Sequence, residues 1–156
     1  TLEMGGKGTF VDSRLGVSVI SNPDLVTPKL PALLAYQLSL AKPPPPTGAF
    51  DPTAAARGQV VFEGAARCAS CHQGTLYTEQ TLHAAAETGM DPLYATRSAT
   101  KLYRTTPLRA LWQHPPYFHD GSARTLDEVA THYDTTLALG LTAAQKADLV
   151  QFLLSI

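Results

Sequence analysis

The sequence predicts an all-α fold with long loops and an irregular N-terminal arm. Two stretches, TLDE (125–128) and TAAQ (142–145), have the form of helix capping boxes. A third helix start is written at Asp51-Pro52, a capping carboxylate followed by proline at the first helical position. The chain also carries 12 prolines and 11 glycines, a supply of turns, and shows no run alternating apolar and polar residues as a strand would.

Taken in order, residues 1–28 read as irregular: EMGGKG (3–8) is turn-like and SNPDLVTP (21–28) is loop chemistry. A short helix is expected in PKLPALLAYQLSL (28–40), with Leu30, Leu33, Leu34 and Leu38 near one face. AKPPPPTG (41–48) ends it, because four consecutive prolines favour an extended polyproline segment, a linker or surface strap. Residues 1–49 are therefore expected to be an arm and linker, or the tail of a preceding domain, and residues 50–156 a single helical domain. The helix capped by Asp51 should run through TAAARGQVVFEGA (53–65), with Gly58 and Phe62 on one face, and deliver the chain to Cys68. LHAAAETG (82–89) suits one or two helical turns, and the Pro-Pro and Asp-Gly pairs of HPPYFHDGS (114–122) make it a loop. After Thr125 and Thr142 come two helices, the last with an apolar stripe of Leu149, Val150, Phe152, Leu153 and Ile156.

A formal net charge of −1 points to no nucleic acid and no anionic membrane as partner. No apolar run approaches the ~20 residues of a membrane span, and no export leader opens the sequence. Thr1 is not an initiator methionine, so the chain is expected to be processed or cut from something longer.

The chain's two cysteines, Cys68 and Cys71, stand in CASCH with His72 next. Two thiols so close cannot staple distant parts of a domain. Cys-x-x-Cys-His is the attachment pattern of c-type haem: each thiol adds to a haem vinyl group, and the following imidazole takes the iron. A structural zinc site would want further soft ligands, and no third cysteine exists. A thioredoxin-like pair would follow a strand, whereas here a helix precedes it. The expected cofactor is one covalent haem c with its iron.

For the far side of the iron the candidates are Met4, Met90, His83, His114, His119, His132 and Tyr133. Leu126, Val129, Ala130 and Tyr133 fall at i, i+3, i+4 and i+7 and share the buried face of their helix. His132 is one step of ~100° away, beside Glu128 on the wetter side. Tyr133 is thus better aimed at an apolar crevice than His132. Met90 can reach from its loop, and the competing use for Tyr133 is core packing with its hydroxyl on a loop carbonyl.

YRTTPLRALWQHPPYFHDGSARTLDEVATHYD (103–134) resembles the C-terminal haem domain of the bacterial dihaem cytochrome c peroxidase family. AAARGQVVFEGAARCASCH (54–72) and LGLTAAQKADLVQFLLSI (139–156) extend the likeness over roughly residues 50–156. The resemblance implies a cytochrome c-like helical domain around the haem. It also implies an iron ligand fourteen positions after the histidine of PYFHDG, usually methionine, which here is Tyr133. A related dihaem enzyme that oxidises a protein tryptophan pair to a quinone cofactor has tyrosine at the similar place. His119, within the motif, is a candidate to hydrogen-bond a propionate or the ligand. Arg109, with Arg104 and Arg97 behind it, is a candidate to neutralise propionates, and Trp112 is either core or part of an electron route. Family members carry two haems, whereas this chain has one attachment site.

The expected function is electron transfer through one six-coordinate haem, exchanging with a redox partner protein or an upstream haem domain. Two alternatives stand beside it: a peroxidase-like enzyme using His119 or His132 as acid-base group, or a module of a larger multihaem oxidoreductase. Because thioether attachment occurs outside the bacterial inner membrane, the resemblance implies a periplasmic or exported protein.

Overall fold

The computed structural model describes residues 8–12, 17–21 and 27–156. It divides into two compact units, one ending at Ala41 and the other spanning Lys42–Ile156. The break lies at the head of the proline run, eight positions before the boundary expected after residue 49.

The first unit corrects the reading of an irregular, strand-free arm. Gly8–Asp12 (β1) and Val17–Ser21 (β2) pair antiparallel, Gly8 opposite Ser21 and Asp12 opposite Val17. GTFVD and VSVIS are rich in β-branched residues, a signal that the neighbouring glycines obscured. A helix follows at Leu30–Ser39 (α1), with Leu30, Leu33, Leu34 and Leu38 all exposed.

The second unit is mostly helical. Pro52–Glu63 (α2) begins where expected, the Asp51 carboxylate accepting from the N–H groups of Thr53 and Ala54 at 2.8 and 3.2 Å. One helical turn, Ala85–Thr88 (α3), sits in the middle of the unit. Leu126–Thr136 (α4) and Ala143–Ser155 (α5) close it. At Thr142 both halves of the capping box form with Gln145. At α4 only the first half does: Thr125 Oγ1 accepts from the Glu128 N–H, but the Glu128 carboxylate takes the N–H of Arg124. A second small departure from all-α is the pairing of Leu82–His83 (β3) with Tyr103–Arg104 (β4). Its two strands lie some twenty residues apart in sequence, so nothing local announces it.

The core lies where α2 meets α5 and α4 packs on them. Phe62 is 2% exposed, with its ring 5.1 Å from Phe152 and 5.9 Å from Tyr77. Leu149, Val150, Phe152, Leu153 and Ile156, the stripe expected of the last helix, are all buried, joined by Val61, Leu126, Ala130 and Leu141. The helices touch at Gly58: a Cβ there would lie 1.9 Å from the Asp148 carbonyl oxygen and 2.9 Å from Phe152 Cβ. Beside that crossing Arg57 donates twice to the Asp148 carboxylate, at 2.8 and 2.6 Å. The Asp51 N–H reaches Gln151 Oε1 at 2.8 Å.

Since the obstruction at Gly58 is backbone and not a movable side chain, Gly58→Ala must push the helices apart. The expected cost is about 3 kcal/mol, the upper end for overpacked sites, read as a lower denaturant midpoint at unchanged slope.

Candidate haem site

α2 ends at Glu63, and Ala66 N–H closes the turn onto the Val61 carbonyl at 2.8 Å. Arg67 then takes a left-handed conformation, φ 53°, and anchors its guanidinium on the Leu137 carbonyl at 3.0 Å. Cys68–Ser70 form a single 3-10 turn, with the N–H groups of Cys71 and His72 both donating to the Cys68 carbonyl at 3.3 and 2.9 Å. Both thiols are free. Cys68 packs on the core, and burial pushes its thiol up to about 11. Burial also raises Cys71.

His72 is half-buried, and its Nδ1–H donates to the Tyr77 carbonyl at 2.9 Å. The tight loop that returns this carbonyl is held by Thr78 N–H on the Gln73 carbonyl, 3.0 Å, with Gly74 and Tyr77 at positive φ. Burial lowers the pKa of His72, against the pull of the Tyr77 carbonyl, the Glu79 charge and the Thr106 carbonyl. Burial thus favours the neutral imidazole, with Nδ1 tied to the Tyr77 carbonyl. That is the arrangement of ligating histidines, whose other nitrogen is tied to a carbonyl or carboxylate.

On α4, Leu126 and Ala130 are buried, while Val129 and Tyr133 are half-buried. Burial pushes the Tyr133 hydroxyl up to about 12, with the negative charges of Cys68 and Cys71 adding to the rise, so the phenol and the thiol pair share one neighbourhood. No hydrogen bond joins this hydroxyl to a described residue, and the loop carbonyl of the packing alternative is not there. The expectation that His132 faces water is corrected. It is half-buried, with Nε2 2.9 Å from the Thr88 carbonyl, because α3 covers that side of α4.

The remaining candidates are dispersed. Met90 is half-buried, its N–H closing α3 on the Ala85 carbonyl at 3.0 Å. His119 is exposed, with Nε2 3.1 Å from the Tyr103 hydroxyl and its ring between Tyr94 and Tyr103, centroids 5.0 and 4.7 Å away. Arg109 is half-buried, Arg104 and His114 are exposed, and the Arg97 guanidinium lies 4.8 Å over the Tyr94 ring. Trp112 is half-buried, and its Nε1–H is the one buried side-chain polar group among the described residues without a hydrogen-bond partner. Met4 lies outside the described residues.

Sequence reasoning missed a charged cluster beside Cys71. His83 sits between two carboxylates, Nε2 2.9 Å from Glu79 and Nδ1 3.0 Å from Glu87. The four-residue spacings were legible, but no helix joins Glu79 to His83, so only the fold brings them together. Donor atoms of Cys71, Glu79 and His83 lie within 4.8 Å of one another. That set could hold a small metal ion only through the sulfur that haem attachment would consume, so the two uses exclude each other.

The donor set fits a c-type haem. Two thiols outside any disulfide flank one turn, an imidazole is pre-oriented, a phenol has no hydrogen bond to a described residue, and a buried indole N–H lacks an acceptor among the described residues, which a haem carboxylate would supply.

No family model matches the chain. Two curated proteins share its sequence. The methylamine utilization protein MauG of Methylorubrum extorquens is 34% identical over 86 residues, 51% of this chain and 24% of its own length. The cytochrome-c peroxidase IdrP1 of Denitromonas iodatirespirans is 28% identical over 145 aligned positions, 63% of this chain and 39% of its own. The similarity is to MauG-like and cytochrome-c-peroxidase-like proteins, at low identity. The chain spans about a quarter and two-fifths of these relatives. Among solved structures, a MauG-like protein associated with microbial copper homeostasis matches with a TM-score of 0.52 at 25% identity, covering 65% of this chain and 46% of that one. Hydrazine synthase of Kuenenia stuttgartiensis shares the fold, with a TM-score of 0.56 at 24% identity over 85% of this chain and 56% of that one. Among the described residues no helix is long and apolar enough to cross a membrane.

Glu87 first, then Glu79, raises the pKa of His83, and His83 in turn lowers both carboxylates. The cluster therefore contributes its full stability between the ordinary carboxylate and ordinary histidine ranges, losing it as pH rises through the raised value of His83 or falls through the lowered values of the carboxylates. In an NMR titration His83 should titrate above ordinary histidine, and Glu87→Gln should bring its midpoint down.

Proposed function

We propose that residues 50–156 are a c-type haem domain whose task is to carry single electrons. The observation that supports this most is the pre-set His72: burial favours its neutral form and the Tyr77 carbonyl takes its Nδ1–H, one residue after a free thiol pair. Bound haem would supply the iron(III)/iron(II) couple. Cys68 and Cys71 would each add across a vinyl group, forming one C–S bond and passing the thiol hydrogen to the neighbouring carbon, with no oxidant consumed. His72 would hold the iron through Nε2.

Tyr133 would close the opposite side through its phenolate oxygen. A hydroxyl already pushed up to about 12 gives up its proton only to a strong cationic pull. A phenolate then favours the iron(III) state and a low potential. Leu126 and Ala130, buried on the same helix, would help exclude water from this side. Arg109 and His119 are assigned to the haem edge, His119 acting through its contact with Tyr103. Electrons would pass to or from a redox partner protein or a further haem domain, with the protein exported to the periplasm, where thioether attachment takes place.

A second reading is favoured by the relative named a cytochrome-c peroxidase: a peroxidase-like enzyme, or the electron-transfer module of a larger multihaem oxidoreductase. Spectra in both redox states separate carrier from catalyst. The carrier is low-spin and unmoved by added peroxide, whereas a high-spin centre that reacts with peroxide is the enzyme.

Matured protein should weigh one haem more than its amino acids, and Cys68→Ala with Cys71→Ala should abolish the covalent adduct. Tyr133→Phe should change the oxidised spectrum and raise the potential by on the order of 0.1 V or more, within the ~0.8 V range that axial ligands command. An unchanged spectrum removes Tyr133 as ligand.

A further inference from the structure

We infer that Phe118 is a positioning residue for Tyr133, fixing the angle at which the phenol presents its oxygen. The inference rests on the reading of Tyr133 as the second iron ligand. No hydrogen bond joins its hydroxyl to a described residue, so its ring contacts bear directly on how the phenol is oriented. Two rings supply them. Phe118 meets Tyr133 edge-on, centroids 5.8 Å apart at 81°, and His132 meets it at 5.3 Å and 84°. Phe118 and His132 also touch each other, 4.8 Å apart, so the three rings form a closed set.

Both flanking rings are anchored from outside the set. His132 is tied through Nε2 to the Thr88 carbonyl at 2.9 Å, which fixes one wall against α3. Phe118 is held by its backbone, at φ 66°, a region that bulky side chains enter only when the surroundings demand it. The demand comes from the loop. Tyr117 and Ala123 form an antiparallel bridge, with the Tyr117 N–H on the Ala123 carbonyl at 2.6 Å. Within it the Asp120 carboxylate takes the Ser122 N–H at 3.0 Å, and Gly121 makes the turn at φ 71°. An aromatic residue kept in an unfavourable conformation, with its ring against a phenol that has no hydrogen bond to a described residue, is the pattern of a side chain that sets direction. Edge-to-face contact restricts rotation of a ring in a way that an aliphatic group of similar bulk does not. The orientation of an axial ligand is among the protein's means of tuning a haem.

The test uses the matured haem protein and three variants. Phe118→Leu and Phe118→Met keep apolar bulk and lose the flat ring, and Phe118→Tyr keeps the ring. The readouts are haem content, the phenolate-to-iron charge-transfer band and the reduction potential. At full haem content, the Leu and Met variants should shift or broaden the band and move the potential, and Phe118→Tyr should restore the wild-type values. A wild-type band and potential in the Leu or Met variant overturns the inference. So does failure of both to yield haem protein, which would make Phe118 a residue of the fold only. A spectrum unmoved by Tyr133→Phe strikes the ligand reading itself and is told apart because it appears with Phe118 intact.

Discussion

The second unit depends on the contact of α2 and α5 at Gly58. The absent side chain lets one helix backbone rest against the Asp148 carbonyl, and only at that separation do Phe62, Phe152 and Tyr77 meet as a cluster of rings. Burial at such a contact is worth ~25 cal/mol per Å² of apolar surface, which the local helix signals of two short segments cannot match. The bidentate Arg57–Asp148 pair lies at the same crossing but is partly open to solvent, so it sets register more than it adds stability.

That crossing is also what delivers the site. α2 ends one turn before Cys68, and the ring cluster holds Tyr77, whose carbonyl in turn holds His72. α4 reaches the same core through Leu126 and Ala130 and so brings Tyr133 into the neighbourhood of the thiols. The two sides of the candidate iron site are held by different means. His72 is set by its hydrogen bond to the Tyr77 carbonyl of its own loop, and Tyr133 is in contact with rings drawn from a distant loop and from its own helix.

Much of this was legible beforehand where the chemistry is local. Asp51, Thr125 and Thr142 announce helices because a cap is a matter of three or four consecutive residues, and all three caps form. The apolar stripe of α5 is a matter of helical period and is buried as expected. The β1–β2 pair was missed although its β-branched residues carried the signal, because the glycines beside it read equally well as loop. The wet side assigned to His132 was wrong for another reason: a helical wheel knows only its own helix, and α3 covers that side from forty-four residues away.

By itself the sequence determined the pair of thiols with its adjacent imidazole, the order of the helices and the face on which Tyr133 lies, since each depends on spacing along one segment. Only the tertiary structure decided that the Tyr77 carbonyl takes the Nδ1–H of His72, that Glu79 and Glu87 close on His83 beside Cys71, and that Phe118 leans on Tyr133. Those are meetings of side chains carried by separate elements. Their distances follow from how closely α2 and α5 approach and how the loops close over them, and no periodicity within a segment encodes that.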